Sequence, residues 1–100
     1  MPRMIRDLDM TLIRTFVTTA DKASMTAAAN ALHLTQGAVS QQVKRLEEVL
    51  GQSLFERDRR GLRLTRSGER LLEKARRLLR LNDEILAEIR GGAVAGRVRV

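Results

Sequence analysis

The sequence has no cysteine and one histidine, His33. The first absence excludes disulfides and thiolate-held zinc, and the second excludes a paired-histidine metal site. Tryptophan and tyrosine are missing, so the only aromatic rings are Phe16 and Phe55, and aliphatic side chains must fill any core. No apolar run approaches the roughly 20 residues that span a bilayer. The opening MPRMIRDLDM lacks the apolar segment of a secretory leader. A cytoplasmic protein with no membrane partner is therefore expected. Carboxylate pairs, nucleophile–base sets and phosphate loops are also lacking. Ser40 has no identifiable base near it, Glu47-Glu48 reads as helix surface, and no enzyme activity is expected.

One hundred residues support one small domain with an extension. The formal net charge is +7. Residues 57–80 carry ten Arg or Lys against Asp58, Glu69 and Glu73, so this segment holds the whole excess. Positive charge concentrated in this way favours a polyanion, nucleic acid first and an acidic membrane second. Taken alone, the run also fits a solvated helix face with charge pairs along it.

The stretch Ser24–Leu50 reads as a helix, a tight turn and a second helix. Ser24 is placed to cap the first, and the alanine-rich run Thr26–Leu32 is helix-favouring and leaves room for a close crossing. His33 reads as a turn residue, because histidine tolerates positive φ better than most. Leu32 and Leu34 are expected to point into the core. Thr35 is placed to cap the second helix, whose Val39, Val43, Leu46 and Leu50 recur at helical spacing as one buried stripe. The opposite face shows Gln36, Gly37, Ser40, Gln41 and Lys44. Uncharged hydrogen-bonders plus one cation suit base edges, where glutamine pairs with adenine and lysine with guanine. Glu47 and Glu48 would be repelled by phosphates, so the N-terminal half is the end expected to insert.

Before this stretch, a helix from about Asp9 to Ala20 carries Leu12, Ile13, Phe16, Val17 and Ala20 on one face. After it, Gly51 suits a helix end, and Leu54-Phe55 gives an apolar anchor. Phe55-Glu56-Arg57 and Leu62-Arg63-Leu64 alternate like strands around the tip Asp58-Arg59-Arg60-Gly61. This is a hairpin wing at about 55–64 with Arg57, Arg59, Arg60 and Arg63 available to phosphates or a minor groove. Thr65-Arg66-Ser67 offers a cap for a last helix reaching about Arg90. Its stripe through Leu71, Ala75, Leu78, Asn82, Ile85 and Ile89, widened by Leu72, Leu79 and Leu86, is longer than a three-helix core covers. The surplus is expected to bury against another chain, with Asn82 fixing alignment. The alternative, packing back on its own domain, fits the first two turns. Gly91-Gly92 and Ala93–Gly96 read as a hinge, and Arg97–Val100 as a strand beginning a further domain.

Phe16, Ser24-Met25-Thr26, Ala28-Ala29, Leu32-His33-Leu34-Thr35-Gln36, Ala38-Val39-Ser40, Arg45-Leu46-Glu47, Leu50-Gly51, Leu54-Phe55-Glu56-Arg57, Leu64-Thr65 and Gly68 occur in one order. With the arginine-rich helix that follows, this set resembles the N-terminal part of the LysR-type transcriptional regulators over about Leu8 to Val100. The resemblance implies a mainly α winged helix-turn-helix over 1–64, with the helix-turn-helix at about 24–44. It implies a dimerising linker helix over 65–90, and a hinge at 91–100 leading to an effector-binding domain. The implied function is sequence-specific duplex-DNA binding to a partly palindromic operator as a homodimer. A tetramer of the full-length protein and contact with RNA polymerase are further expectations. No cofactor is implied for this chain, and a small-molecule effector belongs to the following domain. Thr35, Gln36, Ser40, Gln41 and Lys44 fall on the base-reading face, Ser24 and Thr26 at phosphate-contacting positions, and the four arginines on the wing. Two residues depart from the family pattern: Gly37 stands where proline is usual, and Met25 where phenylalanine is usual. A winged helix serving protein–protein or RNA contact is the other reading.

Overall fold

The structure, a computed structural model, describes residues 7–90. In chain order the elements are α1 (Met10–Lys22), α2 (Met25–Leu32), α3 (Gln36–Leu50), β1 (Phe55–Asp58), β2 (Gly61–Leu64) and α4 (Arg66–Arg90). The proposed hinge and strand start at 91–100 lie outside the described residues.

Each helix starts where a side-chain oxygen meets an unpaired backbone N–H. The Asp9 carboxylate accepts from Thr11, the Ser24 hydroxyl from Ala27, the Thr35 hydroxyl from Ala38 and the Thr65 hydroxyl from Gly68. The first three helices end in left-handed residues: Ala23 at φ 53°, His33 at φ 58° and Gly51 at φ 68°. His33 thus takes the turn conformation expected of it. Ala23 carried no sequence signal for this role, and α1 runs two residues past the expected Ala20 before it.

The core lies where α1, α2 and α3 meet. Phe16, Ile13, Val39, Leu46 and Leu54 are its largest fully enclosed apolar side chains, and the Phe16 ring lies 5.4 Å from that of Phe55. Ala28 and Ala29 are buried, so α2 contributes small residues where helices approach. Thr15 and Thr19 are buried as well, unlike anything the apolar pattern indicated. Their hydroxyls are satisfied: Thr19 donates to the Thr15 carbonyl, and Thr15 bonds Gln42 of α3.

Two leucines depart from expectation. Leu34 is exposed, because the left-handed turn at His33 sends the chain along the surface toward the Thr35 cap, while Leu32 is half-buried. Leu50 is exposed too, since it occupies the last turn of α3, beyond the core that Leu46 closes.

Gly37 sits in the first turn of α3 with open space around it. A Cβ there would meet only the Thr35 hydroxyl oxygen, 4.0 Å away. Gly37→Ala is expected to raise stability by about 0.5–1 kcal/mol through lost chain entropy. An unchanged or lower urea midpoint would contradict this.

β1 and β2 pair antiparallel with Phe55 opposite Leu64 and Asp58 opposite Gly61, leaving Arg59-Arg60 as the tip. Each strand is therefore one residue longer than the alternation indicated. Asp58 accepts from the Arg60 N–H at 2.8 Å, and Gly61 takes φ 116°, so the turn is built from these two residues. Two strands are marginal alone; here Phe55 is buried and Leu62 and Leu64 pack against the core.

Candidate nucleic-acid interface

The N-terminal half of α3 is open to solvent. Gln36, Ser40, Gln41 and Lys44 are all exposed, while Val39 and Val43 between them are buried. The 3.6-residue period thus separates a polar strip from the core-facing stripe. Thr26 of α2 donates to the Gln36 side-chain oxygen at 3.4 Å, so the first residue of the strip is steadied by the preceding helix. Ser24 and Thr35 stand at the two helix starts with their oxygens already accepting backbone N–H groups. Their hydroxyl protons are the part left for an anionic acceptor.

The wing stands beside α3. Ser40, Lys44 and Glu47 of α3 and Phe55, Glu56, Arg57 and Leu62 of the hairpin line one shallow groove. Arg57, Arg59, Arg60 and Arg63 are exposed. Arg63 is engaged: its guanidinium lies 2.8 Å from the Asp58 carboxylate. That bond, with the Arg60 N–H, holds the Asp58 carboxyl below its ordinary pKa range, so it is ionised at neutral pH.

Glu47 is not ordinary helix surface. Its carboxylate accepts the Leu54 N–H at 2.8 Å, tying the last turn of α3 to the start of the hairpin. This bond fixes where the wing stands relative to the polar strip. The partner lies seven residues away across a turn, so periodicity gives no sign of it. Glu48 is exposed.

α4 divides along its length. Ala75 and Leu79, read from sequence as part of a dimer seam, are buried in this chain's own core, and Leu71, Leu72 and Leu78 pack against that core. The reason is that α1 lies against α4, with Asp21 paired to Arg76 at 2.7 Å and Arg14 paired to Asp83 at 3.1 Å. The outward apolar residues are Leu81, Ile85, Leu86 and Ile89, from 44% to 74% exposed. Leu81 was absent from the sequence-based set. Asn82 is half-buried and donates to Asp83.

Among the described residues no group of three His, Cys, Asp or Glu is placed to hold a metal. No helix among them is long and apolar enough to cross a membrane.

The family described as "Bacterial regulatory helix-turn-helix protein, lysR family" matches residues 10–69. The chain belongs to the LysR family. The matched span begins with α1 and ends in the first turn of α4, so it takes in the polar strip and the wing. Among relatives of this LysR-family chain, the HTH-type transcriptional regulator DgdR of Burkholderia cepacia is 45% identical over 94 residues, covering 94% of this chain and 32% of DgdR. The chain therefore spans about a third of that relative's length. Solved structures agree with the winged fold. The DNA-binding domain of BenM, in complex with catB site 1 DNA, superposes with TM-score 0.81 at 31% identity, covering 86% of this chain and 97% of that one. The DNA-binding domain of CbnR, in complex with DNA, gives TM-score 0.78 at 36% identity, covering 86% of this chain and 99% of that one.

Proposed function

We propose that this chain is the operator-reading module of a cytoplasmic bacterial transcriptional regulator, and that it acts as a homodimer on duplex DNA. The observation that carries the reading is the exposed strip Gln36-Ser40-Gln41-Lys44, whose Ser40 and Lys44 line one groove with Arg57 of the wing. A major groove about 12 Å wide admits a helix of this kind, and its base edges offer the donors and acceptors that glutamine, serine and lysine match. Arg57, Arg59 and Arg60 supply sequence-independent attraction to phosphates, and Ser24, Thr26 and Thr35 supply hydroxyls at the helix starts. The BenM and CbnR domains, solved as DNA complexes, support the same reading. The outward residues Leu81, Ile85, Leu86 and Ile89 pair two copies, so that two recognition helices meet the halves of a partly palindromic site. Sensing of a small-molecule effector, tetramer formation and contact with RNA polymerase belong to the full-length regulator. The chain itself performs no catalysis and needs no cofactor.

The reading is tested by titration at fixed salt against an operator and a random duplex. Gln36→Ala is expected to cost about 1–3 kcal/mol on the operator and little on random DNA. Arg59→Ala and Arg60→Ala are expected to weaken both and to flatten the salt dependence by about 0.9 each. Equal losses on both duplexes for Gln36→Ala would contradict the base-reading role.

A further inference from the structure

The four wing arginines are not equivalent. Side chains alternate between the two faces of a strand. Phe55, Arg57, Leu62 and Leu64 share the face that packs toward the domain, and Arg57 lines the groove with Ser40 and Lys44. By register Glu56, Asp58 and Arg63 share the opposite face, although Glu56 also borders the groove that Arg57 lines. Glu56 is the cross-strand neighbour of Arg63, yet the ion pair of Arg63 is with Asp58. Asp58 uses both oxygens. Oδ1 accepts the Arg60 N–H and shapes the turn, while Oδ2 accepts from the Arg63 guanidinium, each at 2.8 Å.

We propose that Asp58 sets the strength of the wing's grip on a polyanion, holding Arg63 away from it so that Arg57, Arg59 and Arg60 alone grip phosphates. This rests on the DNA-binding reading above. Its consequence is a weaker grip on every sequence alike. Sequence-independent affinity grows with each phosphate neutralised, whereas base discrimination comes from the α3 strip. A wing with one cation withheld lowers the affinity for operator and random DNA alike and leaves the contacts of Gln36 and Gln41 untouched.

The experiment measures the salt dependence of binding to heparin and to a random duplex for the wild type, Asp58→Asn, Arg63→Gln, the double variant and Arg57→Gln. Asparagine keeps a side-chain oxygen for the Arg60 N–H and replaces the charged oxygen that holds Arg63 with an NH2 donor. Asp58→Asn is expected to steepen the slope by about 0.9, one added phosphate contact. Arg63→Gln in the wild-type background is expected to leave it unchanged, and Arg57→Gln to flatten it. The double variant is expected to return to the wild-type slope. The proposal is overturned if Arg63→Gln flattens the slope as much as Arg57→Gln, or if Asp58→Asn leaves it unchanged. It is also overturned if the steepening survives in the double variant, because removed repulsion alone would then account for it. Heparin separates this from the DNA reading. Slopes that follow the pattern on heparin while duplex DNA is not bound would sink that reading and leave the role of Asp58 standing.

Discussion

Gly68→Ala is expected to lower stability by about 3 kcal/mol, the upper part of the usual range for overpacking. In a domain of this size that shifts the melting temperature down by more than ~10 °C. The first turn of α4 crosses the backbone at Leu54, and a Cβ on Gly68 would lie 2.2 Å from the Leu54 carbonyl oxygen and 2.9 Å from a Leu64 methyl. A long side chain can swing aside, but a carbonyl oxygen cannot do so cheaply. This one also accepts the Thr65 N–H at 3.0 Å, so moving it breaks the joint between the hairpin and α4. Leu54 is enclosed, and its own N–H is held by Glu47. The displacement would therefore reach the wing and α3 together. A Gly68→Ala protein melting within about 2 °C of the wild type would show that the crossing is looser than described.

Ile85→Lys is expected to leave the domain folded and to reduce operator affinity by about 10²–10⁴, the range lost when two linked binding events become separate. Ile85 is 51% exposed, beyond the part of α4 that packs on the core, so its replacement opens no cavity within the chain. Leu81, Ile85 and Ile89 follow one another at steps of four on one side of the helix, and a lysine in their middle places a charge in the proposed dimer contact. Binding to random DNA by each chain should change little. Sedimentation at micromolar concentration should find a smaller species than for the wild type. A variant that sediments and binds like the wild type would remove α4 from the dimer contact.

The local rules in this sequence were readable because they involve residues within one turn of each other. Ser24, Thr35 and Thr65 cap helices through an N–H three residues on, and His33 turns the chain where its neighbours end a helix. The arrangement of Gln36, Ser40, Gln41 and Lys44 on one side of α3 follows from helical spacing alone. What periodicity could not supply was which partner each face would meet. Ala75 and Leu79 repeat in step with Ile85 and Ile89, yet α1 covers the first pair and leaves the second outside. Leu50 extends the stripe of Leu46 past the edge of the core. Glu47, Gln42 and Asp58 owe their roles to contacts across turns or between elements, which no repeat encodes. Gly68 belonged to the ordered family motif, but its cause, a carbonyl under the helix, is visible only in three dimensions.

The central claim is that two copies of this chain each set the polar strip of α3 against base edges. It is tested most directly by selecting bound duplexes from a random pool with the wild-type chain and with Gln36→Ala. The wild type should enrich two related half-sites in inverted orientation, with centres about one helical turn or a multiple of it apart. Gln36→Ala should lose preference at one position in each half and keep the spacing. Recovery of an unselected pool by the wild type, or of identical sequences by both proteins, would contradict the account.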